Sequence, residues 1–175
     1  NFDELLEYLT VGEGLRKGSA TDGAAVFAKA QCSKCHLFQG RGERIGPDLS
    51  TIGRRFMRKE ILESILYPSH VISDQYAARI VTTTKGKTYT GIVAAGAQGE
   101  RVILQSNGEK VAIKEIDIDE MQPSRKSAMP AGLLNELTQE EIADLFAYLM
   151  TSSRESMATA ASTSRRPIGE APRKK

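Results

Sequence analysis

Apolar residues recur three or four positions apart in four segments of the chain, which is typical of helices with one buried face. The segments are 1–9, 21–32, 58–67 and 138–150. Pro68 should end the third helix, because proline cannot continue the backbone hydrogen bonding. Thr138 and Glu141 have the spacing of a capping box at the start of the fourth. The pattern therefore predicts four helices, with 10–19 and 35–50 as loops because glycine interrupts both.

The periodicity changes between Tyr76 and Met121. There, β-branched residues alternate with polar ones in "ARIVTTT", "TYTGIVAA", "RVILQ" and "EKVAIKEIDI". The separators "KGK", "GAQGE" and "SNGE" are rich in the residues that form tight turns. This segment predicts a meander of three to five antiparallel strands.

Composition and charge limit the classes of protein that fit. The 175 residues suffice for one ordinary domain with an insertion, and no apolar run approaches the roughly 18 residues that span a bilayer. The segment from Thr151 onward has six basic and two acidic residues, so its formal charge is +4 and that of the first 150 residues is −2. We expect 151–175 to be a flexible basic tail or linker. No membrane span and no nucleic-acid partner are expected.

Both cysteines and one of the two histidines lie in "CSKCH", as Cys32, Cys35 and His36. This spacing is that of a c-type haem attachment site, where two thiols add to the haem vinyl groups and the following imidazole binds the iron. Three other interpretations stay open: a redox Cys-x-x-Cys motif, part of a zinc site, and a plain disulfide or chance spacing. A covalent haem would also explain the low aromatic content of 6%, because the macrocycle would fill the core.

A haem iron held by His36 raises the question of a sixth ligand. Met129 is the preferred candidate, because it lies in a loop closed by Pro130 that leads into the last helix. Met121 and His70 are the main alternatives, and an open or water-bound iron is another. The remaining methionines are poorer candidates because they lie at helix ends or in the tail: Met57, Met150 and Met157.

Several segments around the attachment motif occur together in a known family. Gly23 and Phe27 precede the motif in "GAAVFAKAQCSKCH", and "GPDL", "MPAGL" and "EEIADLFAYL" follow it at 46–49, 129–133 and 140–149. Together they resemble the class I c-type cytochromes, whose fold is all-α. The resemblance implies one covalently attached haem c, bonded to Cys32 and Cys35, with His36 and Met129 as the iron ligands.

The same resemblance implies roles for other residues. The first and last helices would cross at Gly23, with Phe27 and Tyr148 packed there, and the carbonyl of Pro47 would accept a hydrogen bond from His36 Nδ1. Apart from the resemblance, a bound haem is expected to contact apolar neighbours such as Leu49, and Arg54 and Arg55 are candidates to bind its propionates by charge-assisted hydrogen bonds.

The resemblance covers about residues 20–75 and 121–150. His36 and Met129 are 93 positions apart, a long separation for the family, and 76–121 has the character of an insertion. With "YPSHVISDQY" before it and "SAMPAGL" after it, the pattern is similar to a narrower group. This group contains haem-binding domains of planctomycete-type bacteria, often fused to the C-terminal end of dehydrogenase-like proteins. The expected fold is a mainly α class I cytochrome c domain over 20–150 with an inserted antiparallel β meander, preceded by an N-terminal helix and loop over 1–19.

The leading hypothesis for function is electron transfer rather than catalysis, with a redox partner such as a dehydrogenase or a terminal acceptor. A haem sensor or a peroxide-reactive protein with an open sixth position is the alternative. A third hypothesis is an interaction module, in which the β insertion docks on a dehydrogenase or forms a homodimer. The resemblance implies a periplasmic location, with an export signal removed ahead of Asn1.

Overall fold

The computed structural model describes residues 1–151, so the predicted basic tail lies outside the described residues apart from Thr151. Its six α-helices are α1 Phe2–Thr10, α2 Glu13–Lys17, α3 Ala20–Lys29, α4 Ile52–Arg55, α5 Arg58–Leu66 and α6 Gln139–Leu149. Its strands are β1 Arg79–Thr83, β2 Thr88–Ala95, β3 Glu100–Gln105, β4 Lys110–Lys114 and β5 Ile118–Pro123. Short 3₁₀ turns occur at Cys32–Lys34, Asp74–Tyr76 and Glu115–Asp117.

All four predicted helices are present, as α1, α3, α5 and α6. The expectation that the second would continue into Cys32 was wrong: α3 ends at Lys29, and Cys32–Lys34 is a separate 3₁₀ turn. The reason is local, because Gln31 has a left-handed backbone with φ of 62°, which a continuing α-helix does not allow. The short helices α2 and α4 have too few turns to show a clear period in the sequence.

Helices α3 and α6 cross at close range and organise the main core. Gly23 makes the approach possible, because a Cβ at this position would overlap the carbonyl of Asp144 and lie 2.7 Å from Tyr148 Cβ. The crossing is fixed at one end by Ser19 N–H, which donates to Asp144 Oδ1 over 2.7 Å. At the other end Lys29 forms an ion pair with Glu141.

Three aromatic rings pack beside the crossing, as the resemblance predicted for two of them. Phe27 meets Tyr148 edge to face with ring centroids 5.8 Å apart, and Phe38 lies 4.6 Å from Tyr148. Such contacts add to the stability gained from burying the rings. Helix α1 completes the same core with Leu9, which is fully buried, so 1–19 packs onto the domain that follows it.

The strands form one five-stranded antiparallel sheet with the order β4-β3-β2-β1-β5. β1 to β4 form the predicted meander, but β5 does not continue it: β5 pairs with β1, with Met121 opposite Val81. The 3₁₀ turn at Glu115–Asp117 carries the chain from β4 at one edge to β5 at the other. The expectation of a mainly α fold is therefore only partly right.

The sheet has a core of its own on one face. Val81 and Ile103 are fully buried and Ile113 nearly so, because alternate residues of neighbouring strands point to the same side. The partly buried residues packed around them are Tyr89, Val93, Val111, Ile118 and Met121.

The sheet begins and ends at one place. Ser124 N–H donates to the carbonyl of Ala78 over 2.9 Å, just outside β5 and β1, and Ser127 N–H donates to Ser69 Oγ over 3.0 Å. The chain thus returns to the end of α5 after 123, and the intervening strands do not separate α5 from the loop before α6. Among residues 1–151, no helix has both the length and the apolar character needed to cross a bilayer.

We expect Gly23→Ala to destabilise the protein by about 2 kcal/mol, as overpacking in a core does. The sign of the change in unfolding free energy is informative, because glycine to alanine at an exposed helical position would stabilise the protein by about 1 kcal/mol. Ala25→Gly, on the exposed face of α3, is the matched control and should cost only that propensity difference. Urea unfolding of both variants measures the effect, and a stabilised Gly23→Ala protein would contradict the close crossing.

Candidate functional site

The attachment loop, residues 31–47, follows α3 and takes its shape from backbone hydrogen bonds. The left-handed backbone of Gln31 separates α3 from the 3₁₀ turn that follows. This turn begins at Cys32, and Cys35 comes directly after it. His36 N–H donates to the carbonyl of Cys32 over 2.9 Å, and Gly46 N–H donates to that of Cys35 over 2.7 Å. The loop therefore holds the two thiols and the imidazole in one compact unit.

Both cysteines are partly buried free thiols, which does not agree with a disulfide. Burial raises the pKa of Cys32 to about 11, and burial also raises the pKa of Cys35, with Lys34 opposing it. Cysteines of redox Cys-x-x-Cys motifs show the opposite shift, because lowering the thiol pKa produces the reactive thiolate. The site keeps both sulfurs protonated at neutral pH, which argues against the redox interpretation.

The His36 ring is oriented by the main chain. Its Nδ1 lies 2.8 Å from the carbonyl oxygen of Pro47, the hydrogen bond that the resemblance predicted. A carbonyl can only accept, so Nδ1 carries the hydrogen and donates it, and Nε2 retains its lone pair. Burial lowers the pKa of His36 and the bond to Pro47 opposes this shift, so the neutral imidazole is favoured. A neutral imidazole with Nε2 free is the form that binds a metal.

Gly46 leaves room for this ring. A Cβ on Gly46 would lie 2.8 Å from His36 Cε1 and 3.0 Å from Nδ1, closer than side-chain atoms normally approach. Gly46 is the first residue of the "GPDL" segment, and its position directly before Pro47 is the sequence signal for this role, which the resemblance did not assign to it.

The alternative candidates for a second iron ligand lie in other parts of the structure. Met121 packs in the core of the sheet, and Met57 is 76% exposed at the start of α5. His70 lies at the surface after α5, where its Nδ1 is 3.5 Å from Glu63 Oε1. Met150 packs against the main core, and Met157 lies outside the described residues.

Met129 lies in the loop between the sheet and α6 and is partly buried. Its N–H donates to Ser127 Oγ over 3.1 Å, and Ser127 N–H donates in turn to Ser69 Oγ. We call this pair of bonds the serine clasp. It joins the Met129 loop to the chain beyond α5 across 58 positions, a separation that no local sequence pattern reveals.

The other predicted haem-binding residues lie on and before α4. Leu49 is partly buried, packs against the main core, and its N–H donates to the carbonyl of Leu37 over 2.8 Å. Arg54 and Arg55 are exposed, and the Arg55 guanidinium lies 5.3 Å from the centre of the Phe56 ring. A propionate-binding role for either arginine stays a prediction.

Comparison with known proteins agrees with this geometry. The family model described as Cytochrome c matches residues 20–92, which include the attachment loop and end within β2. A search of curated proteins gave no match. A cytochrome c domain carries a covalently attached haem c, and electron transfer is the general activity of the family. The matched range does not reach the Met129 loop or α6.

The residues of the attachment loop fit a haem c. They supply two protonated thiols three positions apart, one neutral imidazole with Nε2 available, and a glycine where a side chain would displace the ring. Cys32 and Cys35 would hold the macrocycle through thioether bonds, and His36 would bind the iron.

We expect Gly46→Ala to displace the His36 ring, because the added methyl group would occupy the space next to Cε1. The haem-loaded variant should unfold at lower urea concentration, by about 1–3 kcal/mol, and its visible spectrum should change. Gly40→Ala is the control: its φ of 79° makes alanine strained there, but no atom lies within 4 Å of its added Cβ, so the visible spectrum should not change. An unchanged spectrum in Gly46→Ala would show that this glycine does not position the ligand.

Proposed function

We propose that this protein is a one-electron carrier with His36 and Met129 as iron ligands, because residues 20–92 match cytochrome c and the attachment loop fits a covalent haem c. The haem, when bound, supplies the redox chemistry by alternating between Fe(III) and Fe(II). The polypeptide holds the group, sets its affinity for the electron and excludes water. No bond of a substrate is made or broken, so the protein is not an enzyme in this proposal.

His36 serves as the fixed ligand. The Pro47 carbonyl accepts the Nδ1 hydrogen, which keeps Nε2 directed at the metal and makes the imidazole a stronger donor. Gly46 leaves the space beside Cε1 of the ring free of a side chain. These contacts all come from main-chain groups of one loop, so they are in place before an electron arrives.

Met129 serves as the second ligand. The positions of the other candidate ligands support this assignment. Met121 packs in the sheet, and Met57 and His70 are exposed at the surface. A thioether is a soft ligand that stabilises Fe(II), so Met129 would raise the reduction potential above that of a bis-histidine haem.

The serine clasp supports the proposed role of Met129 despite the long separation in sequence. The strands leave the helical part of the chain at Ala78 and return at Ser124, whose backbone groups bond to each other. Ser127 then bonds to Ser69 beyond the end of α5, so the Met129 loop is anchored to the chain that precedes the sheet.

We expect Met129→Ala to abolish the sulfur-to-iron absorption band of the oxidised protein and to lower its reduction potential. Met121→Ala is the matched control, because Met121 packs against Val81 and Ile103 in the sheet. Its loss should cost about 2–5 kcal/mol of stability while leaving the band intact. Visible spectroscopy and redox titration of the two variants provide the test. A band that survives in Met129→Ala would refute the ligand assignment.

The alternative of a ligand-binding or peroxide-reactive haem predicts an open sixth position. Reduced native protein should resist carbon monoxide if Met129 closes the site. Ser127→Ala removes the acceptor for Met129 N–H and should make the sixth position more accessible, so carbon monoxide should bind at lower concentration. Ser64→Ala, which removes a hydroxyl on α5 bonded to the Glu60 carbonyl, is the control. Ready binding by the native protein would favour the sensor function instead.

Two broader features belong to the same proposal. Covalent haem attachment of this kind is assembled outside the cytosol, which supports a periplasmic location, and a redox protein such as a dehydrogenase is the expected partner. The five-stranded sheet at the position of the expected insertion supports membership of the narrower planctomycete-type group.

A homodimer would form through the outer edges of β4 or β5, and sedimentation of the haem-loaded protein would detect it.

A further inference from the structure

The turn between β3 and β4 lies beside the attachment loop. Lys110 Nζ at the start of β4 is 3.3 Å from Glu43 Oε2, although 67 positions separate them in sequence. A Cβ added to Gly108 would lie 3.7 Å from Cδ of Lys34, one of the two residues between the cysteines. The tip of this hairpin therefore adjoins the part of the chain that binds the haem edge.

The sheet topology places the β2–β3 turn at the other end of the strands from this hairpin. β2 pairs antiparallel with β1 and β3, so the β2–β3 turn at 96–99 lies at the opposite end of the sheet from the β3–β4 turn. β3 has six residues, and at about 3.3 Å per residue the two ends are about 20 Å apart.

Charge distinguishes the surface that the hairpin and the loop form together. We define the attachment surface as residues 31–44 and 105–110. Its charged side chains are four basic and two acidic, all exposed: Lys34, Arg41, Glu43, Arg44, Glu109 and Lys110. The attachment surface is thus net positive, whereas the first 150 residues together are net negative. Such a distribution orients a negatively charged partner toward one face.

We propose that the attachment surface is the docking site of a redox partner with an acidic surface, and that the β3–β4 hairpin forms part of the contact. The inference rests on the proposed electron-transfer function. A partner that comes close to the thioether edge of the haem meets the hairpin at the same time, because Gly108 adjoins Lys34. The sheet thereby contributes to partner choice without contributing an iron ligand.

The Lys110–Glu43 ion pair is suited to such a surface. Both side chains are more than half exposed, so solvent screens the pair and it contributes little to folding. Lys110 can therefore exchange Glu43 for a carboxylate of the partner at small cost. The fixed position of the hairpin comes from the sheet ladder rather than from this pair.

Two isosteric substitutions test the location of the surface. Asn107→Asp adds one negative charge at the hairpin tip and keeps the oxygen that accepts Glu109 N–H. Gln98→Glu adds the same charge in the β2–β3 turn. At an ionic strength of about 0.1 M, charges are screened over about 10 Å, so only the nearer charge should act on a small reagent at the haem edge.

The first measurement is oxidation of the reduced, haem-loaded protein by hexacyanoferrate(III), a trivalent anion. Asn107→Asp should slow it by about threefold, and Gln98→Glu by less than about 1.3-fold, from the screened Coulomb interaction at about 8 Å and 20 Å. Tris(phenanthroline)cobalt(III), a trivalent cation, should respond in the opposite direction. Equal responses of the two variants, or none, would overturn the proposal.

The second measurement is binding in the absence of electron transfer. Poly-glutamate added to the native protein should shift the amide NMR signals of Lys34, Arg41, Arg44 and the hairpin, and Asn107→Asp should weaken the effect. Shifts confined to other faces, or binding to anionic vesicles with no response to poly-glutamate, would overturn it. Retention of the haem spectrum in both variants shows that the haem site is intact, so a negative result then counts against the docking surface alone, whereas absence of haem would refute the proposed function itself.

Discussion

The close crossing of α3 and α6 at Gly23 is the constraint on which the rest of the structure depends. α3 ends three residues before Cys32, and α6 follows the Met129 loop, so the crossing determines where both sides of the proposed haem site begin. The absence of a side chain at Gly23 allows the two backbones to meet, and the rings of Phe27 and Tyr148 pack beside the crossing. Within the attachment loop, the Pro47 carbonyl then orients the His36 ring by accepting the hydrogen bond from Nδ1.

Local signals in the sequence predicted much of this arrangement. Helical periodicity and the Thr138 capping box located α6, and the resemblance to class I c-type cytochromes implied the bond between His36 and Pro47. Both features rest on residues close in sequence. The end of α3 was misplaced because a single left-handed residue, Gln31, decides it. Contacts between distant segments were not predictable: β5 pairs with β1, Ser69 with Ser127, and Glu43 with Lys110, and no periodicity encodes such partners.

The sheet is joined to the rest of the described chain at one place. Its strands leave and return at neighbouring backbone groups of Ala78 and Ser124, and Val81, Ile103 and Ile113 give it a separate core. No side chain of that core belongs to the main core. The β3–β4 hairpin places part of the surface of the sheet beside Lys34.

Covalent attachment of one haem through Cys32 and Cys35 is the central claim. The most direct test is the intact mass and visible spectrum of the protein after denaturation in acid, purified from cells that mature c-type cytochromes. The account predicts that each chain retains one haem under these conditions, because thioether bonds survive unfolding. A colourless chain with the mass of its amino acids alone, from cells that mature another c-type cytochrome normally, would contradict it.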